Sequence, residues 1–123
     1  MFRFRKFEKC RGLSIGPFGQ YLIEFWWIPR NYEVKEHTHN HQNMKLIFLF
    51  CHNALCHRRK KNECLGKTVW VTWRDIGRVF HINAGDAHSV NLYSWPLLFM
   101  NIEKYEDGYK PSSASIDMEV SNA

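Results

Sequence analysis

Short runs of strand-forming residues, each closed by a turn signal, restrict this chain to an all-β architecture. Residues 68–73 read Thr-Val-Trp-Val-Thr-Trp, and residues 21–28 are dense in aromatic and β-branched side chains before stopping at Pro29. Residues 45–51 form a near-continuous apolar run, the pattern of a strand covered on both faces. Further strands are expected at 67–74, 78–82, 88–92 and 96–104. A first strand over 2–10 sets phenylalanines at 2 and 4 against arginines at 3 and 5, then slips at Lys6-Phe7, where a bulge is expected. Turns fall at Gly16-Pro17, Asn53, Gly66, Asp75-Ile76-Gly77, Asn83-Ala84-Gly85-Asp86 and Ser94-Trp95-Pro96. Many short strands at such spacing make a sandwich or a barrel. A chain of 123 residues has room for one core and not two. The body is expected over 1–105, with the Ser-rich stretch 106–123 as a loosely ordered polar tail.

Composition narrows the function classes. Hydrophobic residues make up 45% and aromatics 15%, which excludes a disordered chain. No apolar run approaches the ~18 residues of a membrane span. The start, Met-Phe-Arg-Phe-Arg-Lys, lacks the apolar block and cleavage site of a signal peptide. A cytoplasmic protein is expected, with Cys10, Cys51, Cys56 and Cys64 as thiols. The net charge of +5 concentrates near the N-terminus and in Arg58-Arg59-Lys60-Lys61. That second block is read as a solvated hairpin tip guarding hydrophobic strands, because no nucleic-acid-binding motif accompanies it. Trp26, Trp27, Trp70, Trp73 and Trp95 are mostly expected in the core, since a small barrel fills its interior with large side chains.

The chemistry concentrates in histidines. His37, His39 and His41 alternate with other residues, so in a strand they share one face, neighbours about 7 Å apart. The outer pair would sit about 13 Å apart along a straight strand, too far for one ion with metal–nitrogen bonds of about 2.0–2.1 Å. Two of them can converge if another strand supplies a third ligand. The segment Gly77-x5-Asn83-x-Gly85-x2-His88 ends in a histidine placed to do so. Counting by twos from His41 puts Lys45 on the same face, as a substrate-binding group or a general base, unless a bulge turns it to solvent at the strand's start. Cys51, His52, Cys56, His57 and Cys64 have zinc-ligating chemistry, but their spacing matches no common zinc knuckle.

These segments resemble the cupin superfamily. Its second motif carries a glycine, five residues, Pro-x-Gly-x2-His and an asparagine. Gly77, Gly85 and His88 match in register, with Asn83 in the proline place and Leu92 in the asparagine place. Its first motif fits best as His39-x-His41, which puts Lys45 in the glutamate place, His52 in the glycine place and Glu33 where a glycine would precede the histidines. The stretch from Tyr21 to Ile28 with Pro29-Arg30, and Trp95-Pro96-Leu97-Leu98-Phe99, are also similar to small cupin-like proteins common in bacteriophage genomes.

The resemblance implies a single-domain cupin-type jelly-roll β-barrel. It also implies one transition metal ion (iron, zinc or nickel) held by His39, His41 and His88, with His37 at the barrel mouth contacting ligand. A three-histidine site without the glutamate is similar to that of thiol dioxygenases, so the leading expectation is a metal-dependent enzyme acting on a small molecule. The alternatives are a non-catalytic module for a sugar or nucleotide, and a metal-free sugar isomerase with a histidine base. A small-molecule ligand is the expected partner and a homodimer is a candidate assembly; no membrane or nucleic-acid partner is expected.

Overall fold

In the computed structural model, which describes residues 2–108 and 118–120, the chain forms eleven strands and one short 3-10 turn. The strands are β1 (Phe2–Phe7), β2 (Cys10–Phe18), β3 (Tyr21–Ile28), β4 (Glu33–His39), β5 (Gln42–Phe50) and β6 (Ala54–Arg59). After them come β7 (Lys67–Val71), β8 (Val79–Ile82), β9 (Ala87–Asn91), β10 (Leu97–Tyr105) and β11 (Met118–Val120). They build two antiparallel sheets, one ordered β1-β2-β3-β10-β5-β8 and the other β11-β4-β9-β6-β7. This is a jelly-roll fold of the cupin type, its two sheets stacked and not joined by hydrogen-bonded strands among the described residues.

Four elements depart from the sequence reading for local reasons. The expected single strand over 2–10 is a hairpin: it breaks at Glu8-Lys9, where Glu8 takes φ 50, and Phe7 pairs with Cys10. Arg58 and Arg59 of the basic block belong to β6, where Arg58 donates to the His81 carbonyl at 2.6 Å and Arg59 pairs with Glu36 at 3.0 Å. The tryptophans are mostly outside: Trp27, Trp70, Trp73 and Trp95 are 43–60% exposed, and only Trp26 packs against the core. Trp70 shows why, because its neighbours Val69 and Val71 line the interior and alternation sends Trp70 outward. Met118–Val120 pairs with residues 37–39 of β4; the remainder of the tail beyond Gly108 lies outside the described residues.

The interior has two ends. Ile28, Phe48, Cys51, Ala54, Val71, Leu92 and Leu97 close one end as a packed apolar cluster. Toward the other, β3, β10 and β5 place Glu24 beside Asn101 and Leu46, and Gln42 beside Tyr105. Between the sheets runs a cavity of about 830 Å³, with the packed end as its floor.

Candidate metal centre

His37, His39 and His88 bring one ligand nitrogen each within 4.8 Å of one another. Across β4 and β9, His37 lies directly opposite His88, and their rings are 4.2 Å apart. His39 completes the triangle at 5.1 Å from His37 and 5.3 Å from His88, ring centre to ring centre. All three line the cavity.

Two local features put them there. Val34 pairs with Val90 but His37 pairs with His88, so β4 spends one extra residue over that stretch, a bulge that re-aims its side chains. Within it, His37 Nδ1 lies 2.8 Å from the Lys35 carbonyl. A carbonyl only accepts, so Nδ1 carries the proton and Nε2 keeps its lone pair for a metal. His88 is set by the preceding turn. Gly85 has φ +88, its N–H donates to the His39 carbonyl at 2.9 Å, and a Cβ there would meet Lys61 Cδ at 2.7 Å. Asp86 ties the turn down, accepting from the N–H groups of Asn83 (3.1 Å) and Lys61 (3.0 Å).

The electrostatics suit a metal. Burial lowers the pKa of all three imidazoles. His39 falls to about 3, with His37 adding to the effect. His88 falls well below its ordinary value, through burial first and then His37 and His39, with the Asp86 backbone opposing. His37 is also lowered by burial, against its bond to the Lys35 carbonyl. The site therefore presents three neutral donors near pH 7, and His88 Nδ1 is buried without a hydrogen-bond partner. Three nitrogens around one ion stand about 3.3 Å apart, so the set fits after a modest closing of the rings. Gln42 braces it from β5: its side-chain amide is 3.2 Å from His39 Nδ1.

The structure departs from three sequence placements. His41 is outside the cluster, because β4 ends at His39 and the chain turns at Asn40-His41, which ends the alternation on which the count relied. Its Nδ1 lies 3.7 Å from Glu106 instead. Lys45 is exposed on the outer face of β5, where Gln42, Met44 and Phe48 are the buried positions, so it does not line the cavity. His37, expected at the mouth, is buried within the cluster. Among the described residues, Cys51, His52, Cys56, His57 and Cys64 form no ligand group. All four cysteines are free, and burial raises the Cys51 thiol to about 11 and the Cys56 thiol to about 12.

Sequence reasoning missed a second polar group in the same cavity. Glu103 accepts from Asn101 Nδ2 at 2.8 Å and from the Tyr105 hydroxyl at 2.7 Å. Glu24 lies against it and reaches Arg5 at 3.7 Å. Burial, then the Glu24 carboxyl, push the Glu103 pKa far up, against Tyr105 and Arg5. Glu24 and Glu103 thus form a buried carboxyl pair in which burial and mutual repulsion favour one retained proton. The available signal was an acid inside each of two long hydrophobic strands, Tyr21–Ile28 and Leu97–Tyr105.

No family model and no curated protein matches the sequence. Solved structures do match the fold. The capsular polysaccharide assembling protein CapF from Staphylococcus aureus aligns with a TM-score of 0.74 and 13% identity, over 100% of this chain and 35% of that one. Vicilin from hazelnut (Corylus avellana) gives 0.69 and 13%, over 87% and 32%. An uncharacterised double-stranded β-helix protein from Klebsiella pneumoniae gives 0.61 and 10%, over 97% and 90%. The chain thus spans about a third of CapF, and at these identities the likeness is one of fold. No helix among the described residues is long and apolar enough to cross a membrane.

Proposed function

We propose that this protein is a metal-binding cupin that acts on a small anionic molecule through His37, His39 and His88. The observation that carries the reading is the buried triangle of neutral imidazoles, with His37 held by the Lys35 carbonyl in the tautomer that leaves Nε2 free. Iron, zinc or nickel suits such donors. Bound there, the ion would supply Lewis acidity or, as iron, oxygen chemistry. With no carboxylate among the three, its charge stays uncompensated and favours an anionic ligand. Arg5, Lys6, Lys35 and Lys67 also line the cavity and attract the same charge.

The chain's part is to bind and exclude. Gln42 and the Lys35 carbonyl orient two imidazoles, and the apolar walls of Phe48, Phe80 and Phe99 keep the interior dry. Resemblance to thiol dioxygenases makes oxygenation the reaction class to test first. A metal-free isomerase is disfavoured, since a base works best with a pKa near the operating pH and burial holds His39 at about 3.

The test is elemental analysis of tagless protein. About one equivalent of transition metal is expected in the wild type, lost in His37→Ala and His88→Ala and retained in His41→Ala and Lys45→Ala. Full occupancy in folded His37→Ala would refute the site.

A further inference from the structure

The histidine triangle uses only part of the cavity, and three buried acceptors remain beyond it. Gln42 Oε1 and Asn101 Oδ1 have no hydrogen-bond partner, and Glu24 Oε2 has the Arg5 guanidinium 3.7 Å away; the three residues, all lining the cavity, are 1%, 4% and 4% exposed. Leaving a buried acceptor unpaired costs about 1–3 kcal/mol, so two on one cavity wall, beside a third that only Arg5 approaches, mark a surface shaped for donors. A chain of contacts joins it to the histidines: His39 Nδ1 to Gln42 Nε2 at 3.2 Å, Gln42 Nε2 to Met44 Sδ at 3.5 Å, Met44 Sδ to Asn101 Nδ2 at 3.4 Å, and Asn101 Nδ2 to Glu103 at 2.8 Å. Both ends therefore open on the same cavity.

We infer that Glu24, Glu103 and Asn101 form a hydroxyl-binding subsite, and that the cavity takes a hydroxylated carboxylate, its carboxylate toward the histidines and its hydroxyls toward the two glutamates. This rests on the proposed metal site for the carboxylate end only. The hydroxyl end follows from the groups that meet there. Arg5 comes from β1, Glu24 from β3, Asn101, Glu103 and Tyr105 from β10, while β5 offers Gln42, Met44 and Leu46 and β2 the buried Ser14. A protonated carboxyl beside a second one both donates and accepts, which matches a hydroxyl group. A ligand carboxylate would meet unpaired acceptors there, and a ligand ammonium would meet the Arg5 guanidinium. Trp26 and Phe99 on the same wall give a sugar-like carbon chain an apolar face to lie against.

Met44 sits between the two ends, so its methyl group is the reporter. The experiment is NMR of methyl-13C-methionine-labelled full chain, titrated with D-gluconate, D-glucose or hexanoate, with zinc and after chelation. With zinc, gluconate is expected to shift the Met44 signal and to bind at least about ten-fold more tightly than glucose or hexanoate, one charged or shared hydrogen bond being worth that much. Glu24→Leu and Glu103→Leu, which remove donor and acceptor together, should bring gluconate to the hexanoate level with zinc content unchanged. Tyr105→Phe, which removes only the hydroxyl on Glu103, should weaken gluconate part-way and guards against a folding defect in the glutamate variants.

The two readings fail separately. If zinc does not bind, yet glucose shifts Met44 in a manner lost in Glu103→Leu, the subsite stands and the metal site falls. If zinc binds and hexanoate equals gluconate, or neither sugar compound shifts Met44, or the glutamate variants bind gluconate like the wild type, the subsite is overturned and the metal site survives.

Discussion

Acidification of the metal-free protein should expose the cost of three imidazoles held neutral. His39 titrates at about 3 in the folded chain and near its ordinary 6.5 once unfolded. Its folded pKa is depressed, so below 6.5 the unfolded state takes up a proton that the folded state refuses, and stability falls with pH until about 3. Lowering the pH from about 7 to about 5 crosses about 1.5 units of that window at about 1.4 kcal/mol each, a loss of about 2 kcal/mol from His39 alone. His37 and His88 move in the same direction. Glu103 works in the opposite sense: its raised pKa gives stability at low pH that is lost as pH rises past the unfolded carboxyl value. Comparing wild type with His39→Asn cancels Glu103, because both chains carry it.

The assay is urea unfolding of chelator-treated protein at the two pH values. The wild type should lose about 2 kcal/mol more than His39→Asn, a midpoint difference of about 1 M at an ordinary slope for a chain of this size. Added zinc should hold the wild type to lower pH, since the metal occupies the nitrogens that protons seek. Equal pH dependence in the two chains would mean that His39 is open to water and titrates normally. The dry, neutral site would then be gone.

Two further outcomes follow from the supports of the site. Gly85→Ala places a Cβ at φ +88 and 2.7 Å from Lys61 Cδ, so it should destabilise by more than about 1 kcal/mol in urea unfolding and lower zinc affinity by moving His88. Replacing Cys51, Cys56 and Cys64 with serine should leave metal content unchanged by elemental analysis; loss of about one equivalent of zinc would assign a site to the hairpin instead.

The fold was legible because alternation and turn chemistry are local. The aromatic, β-branched run of β3 ends at Pro29 where the strand ends at Ile28, and the glycine turn before His88 has the positive φ its Gly85 implies. Which histidines meet was not legible, because the count by twos assumed a straight strand through His41. A strand's two faces are fixed only between its irregularities, and β4 holds two: a bulge between Val34 and His37, and an end at His39. The first turns His37 inward and the second removes His41, so the chosen pair was displaced by one histidine. Lys45 failed for the same reason, since the turn resets the parity and makes Gln42 and Met44 the inward positions. The glutamates were hidden differently. Nothing local marks Glu24 and Glu103 as partners, for they are separated by most of the chain and meet only because β3 and β10 are neighbours in one sheet, Asn101 facing Glu24 in register. An acid inside a strand covered on both faces is costly unless it is neutral or paired. Here the two carboxyls lie together with Arg5 beside Glu24, in a cavity that also holds three imidazoles. A chain that merely needed a stable sandwich would place valine or isoleucine at those positions, so the polar interior is the part of the fold that packing alone does not explain.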